Sequence, residues 1–141
     1  MRMNILSKNR TLILLEDDLL DLEHLERQVA KVCQKNSINS LNVISFSQTP
    51  LALEALKRTP DVALLICDTF LPDIDAIGVL HFLKEDNIKT PVFLISGVSN
   101  IMLETSKEMG IALGQNVIGT AIKPMTQNQL ENAFVKANLI S

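Results

Sequence analysis

Five apolar runs of strand length, each followed by a segment with helical periodicity, are the feature that most constrains the fold of this chain. The runs cover residues 11–16, 41–46, 61–67, 91–96 and 117–122. Residues 61–67 are apolar on both faces of a strand, which is typical of a parallel sheet that is covered on both sides. Strands that alternate with helices pair in parallel through right-handed crossovers. The sequence therefore predicts one doubly wound α/β domain with helices on both faces of a five-stranded sheet.

The segment after the first run has apolar residues at three- and four-residue steps, which predicts an amphipathic helix. This helix is expected to open at Asp17 or Asp18 and to end near Asn36. Its apolar row consists of Leu19, Leu22, Leu25, Val29 and Val32.

Three later helices are also predicted from the sequence. Thr49 is expected to be the N-cap of the second helix, with Pro50 in its first turn. The fourth helix is expected to open at Ser99 or Asn100. The last helix is expected to span residues 126–138 and to turn three apolar side chains inward, namely Leu130, Phe134 and Val135.

Length and composition fit a single globular domain, since the chain has 141 residues, of which 47% are hydrophobic and 21% charged. We expect a lead-in at residues 1–10 and one domain at 11–141. The net charge of −3 gives no electrostatic footprint for nucleic acid or a membrane surface. The longest apolar run is too short to cross a bilayer, and the N-terminus lacks the apolar core of a signal peptide. We therefore expect a cytoplasmic protein.

Polar residues follow four of the five predicted strands at the point where each strand ends. They are Glu16-Asp17, Asp68, Ser96-Gly97 and Lys123-Pro124. In open parallel sheets, ligands bind outside the carboxyl ends of the strands, near the topological switch point. If the sheet has the flavodoxin-like order 2-1-3-4-5, the three carboxylates converge at this edge.

Such a convergence of carboxylates requires a cation. Two negative charges about 5 Å apart at an effective dielectric of about 20 repel by roughly 3 kcal/mol. A cluster of carboxylate oxygens suits Mg²⁺, and an aspartate is able to act as a nucleophile towards a phosphoryl group. Lys123 is placed to supply an ammonium for the charge that develops, and Ser96 a hydroxyl for a phosphoryl oxygen.

At this point the residues resemble the response-regulator receiver family over residues 11–138. Four segments at the strand ends carry the resemblance: LLEDD, ICDTFLPDID, VFLISG and AIKP. The resemblance implies that Asp68 is the phosphoacceptor and that Ser96 and Lys123 contact the phosphoryl group. It implies Mg²⁺ as the cofactor, with four ligand residues: Glu16, Asp17, Asp68 and the main-chain carbonyl of Phe70. It also implies a cis Lys123–Pro124 peptide bond.

A two-component function follows from this resemblance. The phosphodonor would be a sensor histidine kinase or a phosphotransfer protein. The domain would catalyse only its own phosphorylation and dephosphorylation and would not be an enzyme in any other sense. Its output would be a change in the surface formed by helix four, strand five and helix five, which would bind an effector domain or a second copy of the chain.

Three positions depart from the usual receiver pattern. The aromatic residue expected three positions before the lysine is Thr120, and the usual Asp-Gly after the phosphoacceptor loop is Asp75-Ala76. Ser96 and Lys123 are 27 positions apart, several more than in most receivers. The lengthened segment between Ser96 and Lys123 resembles that of the receiver variant found N-terminal to EAL-domain cyclic-di-GMP phosphodiesterases. This resemblance implies an EAL-type effector and a role in cyclic-di-GMP turnover.

Two other functions are compatible with parts of the pattern. A degenerate receiver would act as a phosphorylation-independent interaction module, and Thr120 favours this alternative while the intact acidic and lysine positions disfavour it. A phosphohydrolase of the haloacid dehalogenase type requires a second aspartate two positions after the nucleophile. That position is Phe70, so the sequence argues against this function. For Asp18, the expected role is only to cap the first helix.

Overall fold

The computed structural model describes residues 10–97 and 100–140, except for the side chain of Asn100. Five strands alternate with five helices along the described chain. The strands are β1 (Arg10–Leu15), β2 (Leu41–Phe46), β3 (Val62–Asp68), β4 (Val92–Ser96) and β5 (Val117–Ile122). The helices are α1 (Leu19–Lys35), α2 (Thr49–Arg58), α3 (Ala76–Glu85), α4 (Asn100–Ala112) and α5 (Gln127–Lys136).

The five strands form one parallel sheet in the order β2-β1-β3-β4-β5, which confirms the predicted flavodoxin-like fold. The three interior strands are buried along nearly their whole length, and β3 and β4 are buried at every position. The continuous apolar run in β3 follows from this, because helices cover both faces of the sheet.

Alternate residues of the strands enter two separate cores. One core lies under α1 and α5 and includes Leu12, Leu14, Val29 and Phe134. The other lies under α2, α3 and α4 and includes Ile13, Leu65, Leu80 and Leu103. The two cores are separate because successive side chains of a strand point to opposite faces of the sheet. Cys67 belongs to the second core as a free thiol.

Two helices that flank the carboxyl edge of the sheet have side-chain N-caps, of which Asp18 was predicted. Asp18 accepts hydrogen bonds from the amides of Leu20 and Asp21, each at 3.0 Å, and so caps α1. Thr126 caps α5 through a capping box with Gln129. These caps fix how the first turns of α1 and α5 meet the edge of the sheet.

The second helix begins differently from the prediction. Its N-cap is Gln48, and Thr49 is the first helical residue. Thr49 is buried, and its hydroxyl donates to the main-chain carbonyl of Ile74 at 3.2 Å. The N-cap prediction was wrong because this hydroxyl bonds to the β3–α3 loop instead of to its own helix.

Two predicted inward positions are exposed. Val135 is 47% exposed, whereas Leu130 and Phe134 are buried, because the buried row of α5 steps by three or four residues and leaves Val135 outside it. Leu19 is 70% exposed because it is the first residue of α1, outside the row that begins at Leu22. The predicted opening of α4 at Ser99 lies outside the described residues.

Strand boundaries differ from the prediction by one residue at several ends. Arg10 begins β1 and pairs with Leu41. Most of the predicted lead-in, residues 1–9, lies outside the described part of the chain. Among the described residues, no helix is long and apolar enough to cross a membrane.

Candidate functional site

The carboxyl edge of the sheet holds every side chain that the sequence singled out for chemistry. Asp68 is the last residue of β3 and Ser96 the last of β4, and both are buried. Glu16 directly follows β1 and Lys123 directly follows β5. Backbone hydrogen bonds continue past the strand ends, from Glu16 to the Phe46 carbonyl at 3.0 Å and from Lys123 to the Ser96 carbonyl at 2.8 Å. These positions are therefore fixed by the sheet itself.

The ammonium of Lys123 joins three carboxylates. Its Nζ atom donates to Glu16 Oε1 at 2.8 Å, to Asp21 Oδ2 at 2.9 Å and to Asp68 Oδ2 at 3.3 Å. The side chains of Glu16 and Asp68 are 1% and 4% exposed, so both of these ion pairs are shielded from water. Since a buried carboxylate is costly unless it is paired, the lysine makes the burial of both acids possible.

The second oxygen of each buried carboxylate is bound by a main-chain amide. Glu16 Oε2 accepts from the amide of Asp18 at 3.1 Å, and Asp68 Oδ1 accepts from the amide of Phe70 at 3.2 Å. All four carboxylate oxygens therefore have a donor. The amide contacts orient the carboxylates, while the shared lysine neutralises part of their charge.

The pKa of Glu16 is raised to about 7, mainly by burial and also by the nearby carboxylate of Asp68. A hydrogen bond from Lys123 opposes part of this rise. For Lys123, burial alone would lower the pKa of the ammonium. Its hydrogen bonds to Glu16 and Asp21 and the charges of Asp68 and Glu16 outweigh burial, so the pKa of Lys123 lies above its ordinary value. The lysine is a cation throughout the physiological range.

A metal ion fits one group of these carboxylates. Glu16, Asp17 and Asp68 each offer an oxygen, and the three oxygens lie within 4.8 Å of one another. Two of these residues are buried and Asp17 is exposed, which leaves the cluster open on the side of Asp17. Oxygen ligands of this kind suit Mg²⁺, which binds through a few carboxylates and keeps several waters.

Sequence reasoning missed Asp21 as a member of the site. By sequence, Asp21 is one of the polar residues between the apolar positions of the first helix. It lies in the first turn of α1, three residues after the cap Asp18, and its carboxylate contacts Lys123. An acidic residue in the first turn of a helix that starts at the ligand edge was the signal that could have found it.

Ser96, Phe70 and Gly97 lie at or beside the acidic cluster. Ser96 is fully buried, and its main-chain carbonyl accepts from Lys123. The side chain of Phe70 is 65% exposed beside the cluster. A Cβ atom on Gly97 would lie 3.1 Å from Lys123 Cε, so glycine leaves room for the lysine stem. The Lys123–Pro124 peptide bond is cis, as predicted.

A cleft of about 500 Å³ opens over the cluster. Its walls come from α1, the end of β3, and the segment from Lys123 to Met125. Asp17 and Asp68 both line this cleft. The cleft therefore borders the Asp68 carboxylate, of which the side chain is 4% exposed.

The sequence matches no protein-family model and no curated protein. Solved structures with a similar fold include response-regulator receiver domains. A response regulator from Colwellia psychrerythraea is 24% identical, with a TM-score of 0.70 over 92% of this chain and 98% of that one. The receiver domain of an HD domain-containing protein from Pseudomonas fluorescens is 16% identical, with a TM-score of 0.74 over 94% and 96%.

A third structure of this kind was determined with a metal. The receiver domain of a sensor histidine kinase from Pseudomonas aeruginosa is 15% identical, with a TM-score of 0.69 over 92% of this chain and 98% of that one. In that protein a magnesium ion is coordinated in the active site cleft. The present chain therefore has the receiver-domain fold, with an acidic cluster at the ligand edge of its sheet.

Proposed function

We propose that this chain is a phosphoacceptor receiver domain of a two-component system, and that Asp68 accepts the phosphoryl group. The observation that carries the proposal is the joining of Asp68, Glu16 and Lys123 at the sheet edge, with Asp17 open to solvent. The receiver fold supports the same function. The domain itself would comprise residues 11–141, after the lead-in 1–10, and would be cytoplasmic.

Phosphoryl transfer would proceed by attack of an Asp68 oxygen on phosphorus. The phosphorus–nitrogen bond of a donor phosphohistidine breaks, a phosphorus–oxygen bond to Asp68 forms, and the histidine leaves with the electron pair. Bound Mg²⁺ would supply charge neutralisation at the transferring group. Glu16, Asp17, Asp68 and the Phe70 carbonyl would hold the ion. Lys123 would donate to a phosphoryl oxygen, and we propose the same role for the Ser96 hydroxyl.

The surface around the cleft suits a macromolecular donor. Three apolar side chains near the acidic cluster are exposed: Leu19, Leu20 and Phe70, at 70%, 77% and 65%. An exposed apolar rim beside a charged cleft is typical of an interaction site. We therefore assign the donor to a sensor histidine kinase or a phosphotransfer protein.

The output surface would lie on α4, β5 and α5. Exposed apolar residues are present on all three of these elements: Ile101, Ile111, Ile122 and Val135. Thr120 lies on β5, in register with Leu94, and it replaces the aromatic residue of the receiver pattern. A second copy or an EAL-type effector would bind here, and the latter would link the domain to cyclic-di-GMP turnover.

A phosphate-affinity gel with two matched variants tests the phosphorylation proposal. The protein is incubated with acetyl phosphate and Mg²⁺, and phosphorylated chains migrate as a retarded band. The matched variants are Asp68→Ala and Asp73→Ala, since Asp73 is an exposed aspartate in the loop after β3. We expect the band in the wild type and Asp73→Ala but not in Asp68→Ala. A band in Asp68→Ala would overturn the assignment, and no band in any protein would favour the phosphorylation-independent interaction module.

A further inference from the structure

Asp21 gives Lys123 a third carboxylate partner, beyond the two buried acids at the strand ends. We propose that Asp21 is a positioning residue that holds Lys123 towards α1 in the resting domain and competes with the phosphoryl group for its ammonium. This inference rests on the proposed function, because the competition concerns the phosphorylated state of Asp68. Its effect would be to set how strongly the domain favours that state.

The distances show that Lys123 is held less closely by Asp68 than by its other partners. The Nζ atom lies 2.8 Å from Glu16 and 2.9 Å from Asp21, but 3.3 Å from Asp68. A lysine ammonium has three N–H donors, and these three carboxylates account for all of them. The ammonium is thus able to donate to a new phosphoryl oxygen only if one present acceptor is given up.

Asp21 is the partner that is given up at the lowest cost. Its side chain is 46% exposed, so its carboxylate is able to hydrogen-bond to water when the lysine leaves. Glu16 is 1% exposed and would be left as an unpaired buried charge. Exchange of Asp21 for a phosphoryl oxygen therefore keeps Glu16 paired with Lys123, while the charge of the Asp68 carboxylate passes to the phosphoryl group itself.

Charge acts in the same direction as this exchange of donors. A phosphoryl group carries about 1.5 to 2 negative charges and replaces the single charge of the Asp68 carboxylate, so the site becomes more negative by up to about one charge. The carboxylate of Asp21, which shares the lysine with Asp68, repels that charge and withholds part of the compensating ammonium. Removing only the charge of Asp21 is expected to make the phosphorylated state more favourable.

The test compares Asp21→Asn with Glu23→Gln, using the phosphoryl mimic beryllofluoride at saturating Mg²⁺. Glu23 is an exposed acid on the same helix, paired with Arg27 and away from Lys123. Binding is followed by amide NMR as beryllium is added in excess fluoride. We expect Asp21→Asn to bind the mimic about threefold or more tightly than the wild type, the size of a modest ion-pair effect. Glu23→Gln is expected to match the wild type, and Asp21→Glu to restore wild-type affinity.

Equal affinity in Asp21→Asn and Glu23→Gln, or weaker binding in Asp21→Asn, would overturn the proposed competition.

A second readout needs no phosphorylation: the rate at which Lys123 is modified by an amine reagent, followed by peptide mass spectrometry. This rate is expected to rise about threefold in Asp21→Asn alone, because the ammonium of Lys123 loses one of the three negative charges that hold it. If the wild type binds no mimic while this rate still rises, the proposed function fails and the contact of Asp21 with Lys123 stands. An unchanged rate would refute the positioning role directly.

Discussion

The ammonium of Lys123 lies 2.8 Å from Glu16 Oε1, although the two residues are 107 positions apart in the chain. One follows β5 and the other follows β1, so the contact depends on the assembly of β1, β3, β4 and β5 in that order. Their side chains are 17% and 1% exposed. This ion pair therefore links the stability of the fold to the chemistry of its ligand edge.

Replacement of Lys123 by methionine is expected to destabilise the metal-free domain by about 3 kcal/mol, because it leaves two buried carboxylates without their shared cation. Urea unfolding followed by far-UV circular dichroism measures the change, since the chain has no tryptophan or tyrosine. Lys35→Met is the control. Lys35 is 65% exposed and pairs with Glu131 at 3.1 Å, so its loss is expected to cost less than about 1 kcal/mol. Equal effects of the two substitutions would contradict the structural role of Lys123.

Asp17 and Asp18 are adjacent acids for which the structure indicates different roles. Asp17→Asn is expected to weaken Mg²⁺ binding at least tenfold, the effect of losing about 1.4 kcal/mol of ligand energy. Asp18→Asn is expected to leave Mg²⁺ affinity within about twofold of the wild type, because asparagine caps a helix as well as aspartate does. Isothermal titration calorimetry with Mg²⁺ compares the two. Similar losses in both variants would show that general acidity, and not a ligand at Asp17, determines the affinity.

The sheet was predictable from the sequence because a strand that is buried on both faces is a continuous apolar run, which is easily recognised. β2 and β5 have the predicted bounds, and the other strands differ by one residue at their ends. The meeting of Glu16, Asp68 and Lys123 followed from a topological rule that needs only strand ends and strand order. The roles of Ser96 and of the Phe70 carbonyl stay predictions, because they concern contacts with groups that arrive from outside the chain.

Positions that depend on side-chain direction could not be predicted from the pattern. Asp21 is a polar residue of an amphipathic helix by sequence, and only the packing of α1 beside Lys123 brings their side chains together. Thr49 has the residue type of a helix cap, but its hydroxyl meets the carbonyl of Ile74 from a loop 25 residues away. In both cases a tertiary contact determines what the side chain binds, and the neighbouring sequence does not predict that contact.

Gly119 allows β5 to pack closely on the ring of Phe93, which suggests a prediction about the core. A Cβ atom at position 119 would lie 2.6 Å from Phe93 Cε2 and 3.0 Å from its Cδ2. Because Phe93 is buried, Gly119→Ala is expected to cost about 1 to 3 kcal/mol of unfolding free energy. Phe93→Leu removes the colliding ring edge, so the double variant is expected to be more stable than the sum of the single effects implies. Strict additivity in urea unfolding would show that the ring moves aside freely.

Glu16 is expected to give the metal-free protein an unusual dependence on pH. Burial raises its pKa from 4.5 to about 7 in the folded state, so folded protein keeps a proton that the unfolded chain loses above about pH 4.5. Glu16 therefore contributes stability that is fully present below pH 4.5 and is lost as pH rises through about 7. A shift of this size corresponds to about 3 kcal/mol across the window.

Urea unfolding in EDTA at several pH values across this window measures the loss of stability. The same series on Glu16→Gln is the control, because glutamine does not titrate while every other ionisable group remains. We expect the difference in unfolding free energy between wild type and variant to move against the wild type as pH rises, and to level off above about pH 7. A difference that stays constant with pH, or that moves in favour of the wild type, would show that Lys123 keeps Glu16 ionised throughout the window.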